Sequence, residues 1–551
     1  MTMTESPPVE AAKAEPKAAA EVAAEDLYTW LSTSDHKVIG RIWIRLSLAL
    51  FVAAAALGAA VAIEEANGTD EVFGGLNAYF QMWGLYRFGL VLLVAAPLFV
   101  GLATVVVPMQ VGSTNIAFPR AALAAAWGYV LGSIITIVSV LAGGGWGALD
   151  GVSAEEADAI ELTLLGTGMV LGSLMLASVC IVTTVISLRT PGMGLAKVPL
   201  FAWSMLVTGT VWLLTMPIVL ANLIVIVVDL RGGPLLFGNP EPTGSSATLI
   251  FDQLAWVLEQ PQVYSVAIPV LGVIGSVIPV VARGRHASHA AAMVTIGLAG
   301  LLAIGGWSQP HFGDHRDEFV FVAFGLVFVV PVLATLALAG LTLLKGEAPV
   351  GIPPAHLLGA LGSGLLLLLA ATAGALRVID PLELIGTTAD TAVFSLTVFA
   401  AVTGGVTGVW FWAPKIGGRQ LSAALGSLAV TALVGAGAFT GVGGVVAGFD
   451  EAPNWLTGDL DGLTQSMAWL IAAGVILVVI GSLTALGAIV LSLRSEIDAG
   501  DDPWGGHTLE WATATPVPVD NFTEPVARVT SEAPLLDVTG EVHVGTEGEE
   551  S

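Results

Sequence analysis

The chain has 551 residues, of which 55% are hydrophobic and 11% charged, with a mean hydropathy of +0.84; this excludes a water-soluble globule with a charged surface and leaves a polytopic membrane protein. A formal net charge of −25 excludes nucleic acid as a partner, since like charges repel. The single cysteine, Cys180, excludes a disulfide framework and reads as a packed thiol in an apolar run.

Residues 1–26 mix Ala, Glu, Pro and Lys without an apolar core, so a disordered N-terminal tail is expected and not a signal peptide. About twelve apolar stretches follow, centred near residues 52, 96, 131, 174, 213, 272, 298, 331, 365, 402, 433 and 478. Each approaches the roughly 20 residues a helix needs to cross a hydrocarbon core of about 30 Å. The expected fold is an all-α bundle of about twelve transmembrane helices over 27–495, with an acidic cytoplasmic C-terminal tail over 496–551. Lys37, Arg41, Arg120, Arg189, Lys197, Arg283, Arg285, Lys345, Lys415, Arg419 and Arg494 fall in alternate loops, while Glu64, Glu65, Asp150, Glu155, Asp450 and Glu451 mark the others. The basic side reads as cytoplasmic, which places both termini inside a plasma membrane.

Within the second stretch, Arg87 stands one turn after Trp83, and two readings are open: a cation–π pair on the indole, or snorkelling toward the headgroups. Between Trp256 and Val281, Pro261 and Pro269 each free a backbone carbonyl, which lipid tolerates only where packed neighbours satisfy it. That stretch belongs in the middle of the bundle. His311, Asp314, His315 and Glu318 have helical spacing in a loop between stretches, so His311 and His315 are candidate metal ligands; the alternative is a solvated polar loop.

Several segments resemble heme-copper oxidase subunit I, the cytochrome c oxidase family, of the bacterial A type. The similar segments are Trp30–Gly40, Val107–Arg120, Leu188–Ser204, Gly386–Phe399, Trp410–Arg419 and Asp502–Thr513. Where that family has His-Pro-Glu-Val-Tyr, this chain has Gln260-Pro-Gln262-Val-Tyr264. The resemblance implies that Gln260, Gln309 and Pro310 stand at copper-ligand positions, and Trp83, Thr397 and Phe399 at heme-ligand positions. Gln262 and Asn115 stand where the family relays protons through acids, and Thr335 where it has a lysine.

None of these side chains offers the imidazole lone pair that both metals need. Neither heme nor copper is therefore expected, and no catalytic residue either, so oxidoreductase activity is left open. The function expected is a non-catalytic subunit I-like component in contact with membrane lipid and with subunits resembling subunit II or III of a respiratory oxidase. Alternatives are a transporter or a lipid- or quinone-binding protein using the vacated cofactor space, and a divergent active oxidase subunit I. In the first case the centre is expected to be collapsed and largely apolar, with Gln260, Gln262 and Tyr264 bonded to one another or to freed backbone. With twelve spans and basic loops inside, reporters fused at Gly313 and Ser551 are predicted to read external and cytoplasmic respectively; both on one side would mean a miscounted span.

Overall fold

In the computed structural model, the residues described are 31–68, 72–147, 154–232, 250–308, 318–347, 354–454, 460, 462–497 and 499–538. Of the expected features, the tail over 1–26 and the loop residues Gln309, Pro310, His311 and His315 lie outside them.

Twelve helices among the described residues are long and apolar enough to cross a membrane, in agreement with the expected class. They are α1 (His36–Asn67), α2 (Ala78–Gln110), α3 (Pro119–Leu141), α4 (Glu155–Ser187), α5 (Leu200–Arg231) and α6 (Gln262–Val281). The others are α7 (His289–Ser308), α8 (Phe319–Lys345), α9 (Ala355–Arg377), α10 (Thr388–Gly417), α11 (Ala423–Phe449) and α12 (Gly462–Ser492). Local chemistry sets their ends. Asp35 caps α1 by accepting from the Lys37 amide at 2.9 Å, and Gly68, with φ 65°, closes it on the Glu64 carbonyl.

Burial divides the twelve into two sets. The most apolar windows of α2 and α10 are fully buried and that of α6 is 89% buried, whereas the other nine range from 33% to 61%. Those nine form a closed ring in which α1 touches α3 and α12, α5 touches α7, and α9 touches α11. Every fourth helix is thus an inner one, and α10 packs on both α2 and α6. Small residues permit that approach. A Cβ on Gly404 would stand 2.9 Å from Val270 of α6, and one on Gly408 would stand 2.9 Å from Leu102 of α2, closer than packed carbons come.

Three inner or neighbouring helices depart from regular geometry. The chain into α6 runs through a tight three-residue-per-turn segment over Gln262–Ala267 before regular helix starts at Ile268. Pro261 and Pro269 account for this, since neither has an amide to donate. Helix α2 contains a widened turn over Gly89–Ala95, and α8 is interrupted at Phe328.

The C-terminal residues 499–538 fold back over the basic end of the bundle. Glu510 Oε1 accepts from Gln110 Nε2 of α2 at 2.9 Å and from Trp412 Nε1 of α10 at 3.3 Å. Asn521 meets His36 Nε2 of α1 at 2.9 Å, and Lys415 Nζ donates to the Thr513 carbonyl at 2.6 Å. Burial pushes the Glu510 carboxyl above the usual carboxylate range. Its neutral form is favoured in the docked segment, so this contribution is full below the ordinary glutamate range and is lost as pH rises through the raised value. Limited proteolysis of the C-terminal segment is predicted to speed up with pH in the native chain and to be flat with pH in Glu510→Gln. Glu510→Ala strands two buried donors and is expected to cost about 1–3 kcal/mol in thermal unfolding at low pH, and less as pH rises.

Candidate functional site

Two of the family-equivalent positions, Trp83 and Gln260, come together in the bundle. Trp83 on α2 and Gln260, just ahead of α6, line a shared cavity of about 20 Å³, closed by Arg87, Glu259, Arg377 and Asp390. That volume holds about one water. Trp83 is 4% exposed, and its ring is tilted against Phe251 with centroids 4.9 Å apart. Thr397 and Phe399 on α10 are wholly buried and do not line this cavity. Thr397 turns its hydroxyl back to the Val393 carbonyl at 2.7 Å.

The polar ends of Gln260 and Tyr264 converge beside Gly374 while Gln262 bonds elsewhere, and no hydrogen bond joins the three, unlike the expectation. Gln262 Nε2 donates to Thr215 Oγ1 at 3.2 Å and to Ser265 Oγ at 3.3 Å. In a turn of three residues, positions 262 and 265 fall on one face, which explains that choice. Tyr264 donates to the Ala370 carbonyl at 3.3 Å and stacks on Phe328, with centroids 3.9 Å apart and planes 6° apart. Gln260 occupies the space left by Gly325 and Gly374, where a side chain on either would overlap its amide. Among the described residues, neither its Oε1 nor its Nε2 has a hydrogen-bond partner. Of the other expected positions, Asn115 donates from Nδ2 to the Ser34 carbonyl at 3.0 Å, and Thr335 bonds Thr295 at 3.2 Å.

The cavity at this level is small, and its lining is charged and not, as expected, apolar. Arg87 does not snorkel. Its guanidinium lies over Trp83 at 4.6 Å and over Phe394 at 4.4 Å, and Nη1 donates to Thr391 Oγ1 at 3.1 Å. Arg377, at the end of α9 and 2% exposed, pairs with Asp390 at the start of α10 and stands 4.0 Å from Glu259. Asp390 also accepts from the Gly386 amide at 2.8 Å. Nearby, Tyr79 donates to Glu65 at 2.7 Å. Sequence reasoning missed Arg377, Asp390 and Glu259, although an ionisable group at a span end in so weakly charged a chain was the available signal.

This arrangement ties the entries of α6 and α10 to the exit of α9 and can hold a single water. Among the described residues, no group of three or more His, Cys, Asp or Glu gathers there to hold a metal. Asp390→Ala leaves the buried Arg377 charge with only the longer contact to Glu259 and is predicted to lower thermal stability in detergent by about 3 kcal/mol. The double change Arg377→Met with Asp390→Ala should cost clearly less than the sum of the single changes, as a double-mutant cycle would show.

Comparison with known proteins places the chain. The family described as Cytochrome C and Quinol oxidase polypeptide I matches residues 38–515. The cytochrome c oxidase subunit 1 of Bacillus subtilis is 27% identical, with 90% of this chain and 81% of that protein covered. The protein of the same name from Corynebacterium diphtheriae is 25% identical, covering 92% and 91% respectively. A Streptomyces avermitilis protein provisionally named cytochrome c oxidase subunit 1-beta is 28% identical over 94% of this chain and 93% of its own length. The expectation that neither heme nor copper belongs to this chain is corrected by that match, because the family is one that carries both. The local chemistry at the described positions is a separate observation. The indole of Trp83 and the carboxamide of Gln260, around about 20 Å³ of space, and the hydroxyl and phenyl groups of Thr397 and Phe399, buried away from it, do not fit a heme or a histidine-held copper. On sequence match over most of its length and on its twelve-helix bundle, the chain belongs to the cytochrome c and quinol oxidase polypeptide I family.

Proposed function

We propose that this protein is a non-catalytic subunit I-like component of a respiratory oxidase complex, held in the plasma membrane with its basic end cytoplasmic. The observation that carries the reading is the closed cavity between Trp83, Gln260, Arg377 and Asp390. The level at which the family's chemistry is expected is occupied here by an ion-paired cluster that ties helices together. Its side chains orient one another and leave room for about one water, and Gln262 and Tyr264 are engaged in neutral hydrogen bonds. The same volume disfavours the transporter and quinone-binding alternatives, since pockets for such ligands run to about 300 Å³ or more.

A second reading, an active subunit I with ligands drawn from elsewhere in the chain, such as Met82 or His311, is favoured by the family and by the names of the relatives. Oxygen uptake separates the two. Affinity-tagged chain solubilised from its native membrane is expected to carry subunits resembling subunit II or III with it. Oxygen consumption per complex is expected to be unchanged by Gln262→Ala together with Tyr264→Phe. Consumption of oxygen by the purified chain with reduced cytochrome c or quinol, abolished by that double change, would overturn the proposal and establish the second reading.

A further inference from the structure

At the basic end of the bundle, where α1, α10 and α12 meet, lies a cavity of about 90 Å³ lined by Arg41, Arg45 and Arg419 and by aliphatic side chains including Ile44, Ile416 and Ile489. Arg41 and Arg45 are four residues apart on α1, so their side chains lie on the same face. Among the described residues, neither makes a hydrogen bond or an ion pair. Arg419 donates from Nε to the Ser495 carbonyl at 3.0 Å, which leaves its terminal nitrogens for another acceptor. No carboxylate lines the cavity. Asp35, just ahead of α1, is engaged by Lys37 at 2.8 Å.

The depth of these arginines points to the occupant. Helix α1 has 32 residues, which makes it about 48 Å long and leaves roughly 9 Å beyond a 30 Å hydrocarbon core at each end. Arg45 is about 14 Å from the start of α1. Its exposed side chain therefore leaves the helix just inside the hydrocarbon, where it must reach outward to an anion. Three guanidinium groups that make no ion pair among the described residues, beside aliphatic side chains where the outer-ring helices α1 and α12 meet, match an anion that carries its own hydrocarbon.

We propose that Arg41, Arg45 and Arg419 bind the phosphate of an anionic phospholipid, whose acyl chain runs along Ile44, Ile416 and Ile489. Guanidinium suits this role because its planar fork engages two phosphate oxygens at once. Free inorganic phosphate shares the headgroup chemistry but would leave the aliphatic half of the site unfilled.

The full chain is reconstituted in nanodiscs of phosphatidylcholine with equimolar phosphatidylglycerol, released into mild detergent, and examined for retained lipid by native mass spectrometry. Phosphatidylglycerol is expected to be kept in preference to phosphatidylcholine, with affinity falling about fivefold for each arginine changed to glutamine. Excess inorganic phosphate is expected not to displace it. Arg45 is exposed, so Arg45→Gln tests the site without disturbing the core, and Arg45→Lys should keep most of the lipid because it keeps the charge. Equal retention of the two lipids, or undiminished phosphatidylglycerol in the Arg41→Gln, Arg45→Gln, Arg419→Gln triple variant, overturns the proposal. Displacement by inorganic phosphate also overturns it and assigns the arginines to a free anion.

Discussion

The structure depends on how closely α10 can approach α2 and α6. Because α10 is covered on all sides, it gains nothing from contact with lipid, and its stability rests on dispersion between well-fitted surfaces. Gly404 and Gly408 set the two distances. With the three inner helices drawn together, the other nine have a fixed perimeter to close around, and each presents an outer flank to the membrane. The broken geometry at Pro261 and Pro269 is tolerated for the same reason, since those carbonyls lie among packed side chains and not in hydrocarbon.

Tight inner packing also governs the chemistry of the centre. A buried arginine in a membrane protein needs neighbours that hold its charge, and Arg87 and Arg377 find them in different ways. Arg87 uses aromatic faces and a hydroxyl, whereas Arg377 uses carboxylates contributed by other helices. Both solutions keep a buried guanidinium among partners supplied by the inner packing. Family membership and local site chemistry thus point in different directions, and they need not coincide, because a fold is kept by its packing positions and a function by its site.

Much of the fold was legible in the sequence, since spans are long, apolar and separated by charged turns, and the prolines near Gln260 announced a departure from helix. The choice of α2, α6 and α10 as inner helices was not. Hydropathy alone cannot distinguish burial in protein from burial in lipid. At the site, the stacking of Arg87 on Trp83 followed from spacing along one helix. The pairing of Arg377 with Asp390 and Glu259 did not, because it joins ends of different helices. Nor could composition show the directions taken by Gln260, Gln262 and Tyr264, which depend on how the 262–267 turn is wound.

The C-terminal segment carries a consequence for biogenesis. Its anchors are drawn from widely separated parts of the chain: His36 from α1, Gln110 from α2, and Trp412 and Lys415 from α10. Following all of them in the chain, it meets its complete receptor only once the first, second and tenth helices stand side by side. Docking of residues 499–538 therefore reads out the arrangement of three helices at once, and a misplaced inner helix would remove part of its receptor.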